Sequence, residues 1–107
     1  GSVDTVVSSY AFHHCNEEEK ILAVKEMARI LKPAGRIVIA DLMFADEEAR
    51  KIFAENCSDA EREDLEDEYF AYVDRLEGVL ETLGFDARHV QVDPLIWIVT
   101  GDRRAGD

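Results

Sequence analysis

The sequence predicts an α/β domain built on a four-stranded sheet, with two parallel strands, a C-terminal antiparallel hairpin and helices on both faces. Three observations carry this. The stretch "RIVIADLMF", residues 36–44, is apolar without alternation, as in a strand covered on both faces. A β-branched run at 3–9 and this strand flank a helix-patterned segment, which makes a βαβ unit with parallel, right-handed strands. Two further strand-like stretches close the chain around Asp93-Pro94, a turn of one or two residues that makes them antiparallel. At 107 residues there is one domain.

The first strand is "VDTVVSS", residues 3–9, where Val3, Val6 and Val7 set the β preference. Asn16 is a good N-cap for the helix that follows, with Glu19 placed for a capping box. Acids at 17–19 suit the positive end of that helix. Apolar residues at 21, 22, 24, 27, 28, 30 and 31 give it a broad buried face, and Pro33 and Gly35 end it. After the strand at 36–44, Asp46 caps "EEARKIFAEN". The charge-dense "CSDAEREDLEDEYF" reads as a solvated helix or lid, with Ser58 as its cap. A longer helix is predicted over 68–83, with Phe70, Val73, Leu76, Val79, Leu80 and Leu83 on one stripe and Gly84 at its C′ position. "FDARHVQVD" and "PLIWIVTGD" are the last strands. The predicted sheet order is first strand, second, fourth, third. The domain is drawn at 3–101; Gly1-Ser2 reads as a cloning remnant and 102–107 as a tail.

The chain carries 24 acidic against 12 basic side chains, a formal charge of −12. That balance argues against nucleic acid or an anionic membrane surface as partner, since phosphate binding needs clustered Lys and Arg. No apolar run approaches the roughly 20 residues of a membrane span. No leader is visible at "GSVDTVV", and a cytoplasmic location is expected. Cys15 and Cys57 are far apart and read as free thiols.

"VDTVVSSYAFHH", "EMARILKPAGRIVIAD", "LETLGF" and the ending "PLIWIVTG" together resemble the C-terminal half of a class I S-adenosylmethionine-dependent methyltransferase. The resemblance is to small bacterial enzymes that act on small molecules, and it covers nearly the whole chain. It implies a partial Rossmann-like sheet. Ala34-Gly35 stands where the family has Gly-Gly, and Cys15 where an aliphatic residue is usual. The family's glycine-rich turn and its acidic ribose ligand have no counterpart, because the six glycines lie at 1, 35, 78, 84, 101 and 106. Those parts let backbone approach the cofactor and hold its ribose. The resemblance therefore implies S-adenosylmethionine as cofactor and a small-molecule methyl acceptor for the parent domain. For this chain alone it implies no bound cofactor and no catalysis.

The stretch "SSYAFHHC", residues 8–15, falls at the carboxyl end of a parallel strand, beside the reversal in strand order where open α/β sheets bind ligands. By resemblance, Ser9, Tyr10 and Ala11 line the cofactor, and His13 or His14 faces the acceptor and takes its proton. The competing reading is that either histidine merely packs on the helix N-terminus. A zinc site at His13, His14 and Cys15 is disfavoured, since contiguous residues do not converge on one ion and no second cluster adds ligands. Nothing marks Cys15 as an activated nucleophile. Asp41 ends the strongest strand and can line the substrate or cap the next turn. Tyr69, Phe70 and Tyr72 can form a lid, with Phe70 better placed in the core. Trp97 reads as core and His89 as a surface strand residue. In this fragment the first strand becomes an edge, β-branched and carrying one charge, which invites pairing with a second copy. The alternative function is thus a non-enzymatic, self-associating α/β module.

Overall fold

The computed structural model describes residues 3–9, 15–67 and 70–104. The elements are β1 (Val3–Ser9), α1 (Glu17–Ile30), β2 (Leu31–Phe44), α2 (Glu47–Glu55), α3 (Asp59–Asp67), β3 (Ala71–Tyr72), α4 (Val73–Thr82), β4 (Phe85–Gln91) and β5 (Ile96–Arg103). The sheet order is β1-β2-β5-β4, with β3 added to β2. β1 and β2 are parallel, and β5 is antiparallel to both β2 and β4. The predicted order of the four main strands and the mixed architecture hold; the strand count rises to five.

The local signals act as their chemistry requires. Asn16 accepts the Glu19 N–H at 2.9 Å, and the Glu19 carboxylate accepts the Asn16 N–H at 3.0 Å, a complete capping box. Asp46 takes the Ala49 N–H at 2.8 Å and Ser58 the Glu61 N–H at 3.2 Å. Gly84 follows α4 at φ 93°, the left-handed angle that a C′ glycine supplies without strain.

Three boundaries differ from the sequence reading. β2 begins at Leu31, five residues before the predicted start, so "LKPAG" belongs to the strand, with a left-handed break at Ala34. Pro33 disfavours the helical conformation for Lys32, and Leu31 pairs with Val3 before an irregularity lets the register settle at Thr5 and Arg36. The predicted helix over 68–83 begins only at Val73. Ala71 and Tyr72 instead pair with Met43 and Phe44, continuing along β2 past the end of β1. Unpaired strand backbone there outweighs the helical periodicity. The final hairpin has a four-residue connection, 92–95, rather than one or two.

Register assigns the faces. Val6, Ile37 and Gly101 share one, with Ile39, Val99, Asp41 and Trp97. α1 and α4 cover it, and Val24, Ile37, Ile39, Leu80, Phe85 and Val99 have no exposed surface. The opposite face carries Leu42 and Phe44 at its carboxyl end, where Ala49 and Phe53 of α2 pack beside Phe70 and Tyr72. Phe70 is therefore core, as its place on the apolar stripe suggested. Farther along, that face is open: Val7 is 64% exposed and Val90 60%.

Arg103 ties the end of β5 to the C-terminus of α1. Its guanidinium donates to the carbonyls of Ala28 at 2.6 Å and Leu31 at 3.2 Å, satisfying acceptors at the C-terminus of α1.

Candidate functional site

The carboxyl edge of β1 and β2 gathers the polar side chains. Ser9, the last residue of β1, is exposed and stands in register with Ala40. Asp41 follows on β2. Pleat alternation turns it toward α1, in line with Ile37 and Ile39, and it has no exposed surface. Its carboxylate accepts the Leu42 N–H at 2.8 Å.

Lys20 comes down onto this edge from the first full turn of α1. It is 3% exposed, and its N–H bonds to the Asn16 carbonyl at 2.9 Å. Burial pushes its ammonium below the usual lysine range, while the charges of Glu17, Cys15 and Asp41 hold it up. A lysine here continues the Val24 stripe of α1 by i, i+4 spacing, so its aliphatic stem packs with the core while its charge sits among acids.

A second polar group surrounds Tyr72. Its hydroxyl accepts from Arg50 of α2 at 3.2 Å, and the Arg75 guanidinium of α4 lies 4.5 Å from its ring centroid. Arg75 also pairs with Glu17 at 3.6 Å and hydrogen-bonds Glu47. These contacts lock α1, α2 and α4 together at one end of the sheet. Tyr72 is 7% exposed, a packed anchor in this arrangement rather than a loose lid.

Beside this group an open cleft of about 310 Å³ is bounded by the end of β2, by α2 and by the 92–95 connection. Phe44, Ala49, Phe53 and Leu95 make its apolar wall, with Gln91 and Trp97 at the other side. The Leu95 carbonyl accepts the Met43 N–H at 2.7 Å and holds the connection against β2.

Comparison with known proteins agrees with this arrangement. The family model described as a methyltransferase domain matches residues 1–39. An uncharacterized methyltransferase of Bacillus pumilus is 39% identical over 105 residues, covering 94% of this chain and 49% of the relative. The chain thus spans about half the length of the curated relatives it matches. An O-methyltransferase family protein from Burkholderia thailandensis superposes with a TM-score of 0.75 at 17% identity, over 100% of this chain and 32% of that one. Human N-acetylserotonin methyltransferase, solved in complex with SAM, gives 0.68 at 12% identity, over 96% and 30%. This chain is similar to about half of a methyltransferase.

Ser9 and Asp41 stand close together at the carboxyl end of the β1–β2 pair, Ser9 being in register with Ala40. Tyr10, Ala11, His13, His14 and Tyr69 lie outside the described residues. Cys15 and Cys57 are not disulfide-bonded. Trp97 packs against the main core, and His89 is exposed, with Glu77 at 3.1 Å from its Nδ1. No helix among the described residues is long and apolar enough to cross a membrane. Sequence reasoning did not find Lys20, Arg50 or Arg75. Only Lys20 left a signal, as a charge on the apolar stripe of α1.

Proposed function

We propose that this chain is the acceptor-side portion of an S-adenosylmethionine-dependent methyltransferase for a small molecule, and that it does not catalyse transfer by itself. The observation that carries the reading is the parallel β1–β2 pair with α1 between. It leaves Ser9 at the carboxyl end of β1, in register with Ala40, the residue before Asp41.

In this reading Ser9, Tyr10 and Ala11 border the methionine end of the cofactor. His13 or His14 accepts the proton that the acceptor loses as its lone pair takes the methyl group, a role imidazole suits as a general base. Asp41, closed off beneath α1, is a positioning residue that fixes the strand end rather than a group that touches substrate. The cofactor supplies a methyl group activated on a sulfonium. The residues present do not fit the whole of that group, because the chain carries no glycine-rich turn. The domain is proposed to work in the cytoplasm.

Calorimetric titration of the chain with S-adenosylhomocysteine tests this. No heat is expected from the chain alone, and saturable one-site binding would overturn its proposed dependence on further structure.

A second reading is favoured by one observation. β1 is a terminal strand of the sheet, and Val7 on it is 64% exposed. Pairing of two such edges about a two-fold axis would make the chain a self-associating module, with or without catalysis. Light scattering that reports a monomer, with rapid amide exchange along β1, would remove it.

A further inference from the structure

β1 bonds only to β2 among the described residues, as a terminal strand of the sheet, so one side of its backbone is left to pair elsewhere. The usual protections of such an edge are weak here. Val3–Ser9 contains neither lysine nor proline, and Asp4 is its one charge. The irregularity in its pairing belongs to β2, which sets residues 32–35 against Asp4 alone. β1 itself is strand throughout its seven residues. Its two sides differ. Val6 and Ser8 are half-buried on the α1 side, whereas Thr5, Val7 and Ser9 are exposed on the open face.

Unpaired strand backbone is completed by another strand. In a closed two-fold pair that strand is a second β1, running antiparallel, the arrangement that is more stable per residue. A two-fold axis normal to the sheet keeps each face on its own side. Residues directly opposite one another must then share a face, so an odd number pairs with an odd one and an even with an even. The axis therefore falls on a residue and never between two. Centred on Thr5 it engages residues 3–7, on Val7 residues 5–9, and on Val6 all seven. Thr5 would also set the two Asp4 residues only two strand positions apart, about 7 Å along the strands. Val6 sets them four positions apart, about 14 Å and beyond the screening length of about 8 Å.

We propose that the chain self-associates through β1 about a two-fold axis on Val6, with Thr5 opposite the partner's Val7 and Ser9 opposite the partner's Val3. The proposal rests on the self-associating reading above and adds its register. The open face gains two pairs of β-branched side chains, Thr5 against the partner's Val7 and Val7 against the partner's Thr5, a favourable cross-strand match. The α1 side gains Val6 against the partner's Val6. The carboxyl end of each β1 then stands beside the start of the other strand, so the second copy becomes part of the surroundings of Ser9.

Single thiols read the register. Cys15→Ser and Cys57→Ser remove the native free thiols. In that background Thr5→Cys and Val7→Cys place one thiol each on the exposed face, away from the core. Light scattering of the unaltered chain should report a dimer at physiological ionic strength, which screens the repulsion between two chains of formal charge −12. Mild oxidation should link Thr5→Cys chains to Val7→Cys chains in a mixture and link neither to itself, since only directly opposed Cβ atoms come within disulfide reach. A monomer at high-micromolar concentration overturns the proposal together with the self-associating reading. A dimer whose Val7→Cys chains link to themselves, or whose mixture fails to link, overturns the register and leaves that reading standing.

Discussion

Asp41 and Trp97 are register partners across β2 and β5, on the helix-covered face of the sheet. The two neighbours serve different ends. Asp41 is sealed under α1 near the buried Lys20, whereas Trp97 reaches the wall of the open cleft. Strand pairing thus fixes the spacing between a buried carboxylate and an aromatic side chain on the same face of the sheet.

Asp41→Ala should destabilise the fold by about 3 kcal/mol. It removes the acceptor of the Leu42 N–H and the charge that helps hold Lys20 protonated in the interior. Asp41→Asn keeps the shape and should cost about half as much. Urea midpoints read the difference, with an unchanged m-value expected if only the native state is affected.

Ala34 and Gly35 should respond in opposite directions. Ala34 has φ 65°, a left-handed angle that costs a residue with a Cβ about 1 kcal/mol. Ala34→Gly relieves it and should stabilise by a few tenths to about 1 kcal/mol after the added freedom of the unfolded chain. A Cβ on Gly35 would lie 2.9 Å from both Leu31 Cδ2 and the Lys32 carbonyl oxygen. Gly35→Ala should therefore destabilise by roughly 1–3 kcal/mol. Thermal melts of the two variants against the parent decide it.

Gly78→Ala should stabilise by about 0.5–1 kcal/mol. The residue lies inside α4, and an added Cβ would meet nothing within 4 Å. A lower melting temperature would show that this stretch of α4 contacts something on that side.

Asp102 bridges Arg36 at 2.6 Å and Arg88 on the open face of the sheet. Its hydrogen bonds to Arg88 and then Arg36 hold its carboxyl below the ordinary value of 3.8. The folded state therefore binds this proton less readily than the unfolded chain. The stabilisation is fully present above 3.8 and is lost as pH falls through the lower, folded value. Partial exposure screens it, so Asp102→Asn should cost about 1 kcal/mol near pH 6. The gap between parent and variant should close in strong acid; a gap that is constant with pH would mean the effect is not the charge.

The sequence by itself determined the local events. Asn16 with Glu19, Asp46, Ser58 and Gly84 end or begin helices through their own side chains or backbone angles, which need only neighbours a few residues away. β1 was placed to the residue, but the unalternating run at 36–44, read as covered on both faces, alternates in burial: Ile37, Ile39, Asp41 and Met43 are buried while Val38, Ala40 and Leu42 are half-buried on the open face. Tertiary structure decided what depends on distant partners. Helical periodicity at 70–72 yielded to strand pairing because β2 offered Met43 and Phe44 open backbone there. "LKPAG" was drawn into β2 by Val3, some 28 residues away. At the site, Ser9 was legible as the residue that closes β1, whereas Asp41 lies three residues before the end of β2. Lys20, Arg50 and Arg75 were not legible, because a charged side chain acquires a site only when separate helices converge on one end of the sheet. The cleft at the end of β2 was equally hidden, because β2, α2 and the 92–95 connection each supply one wall.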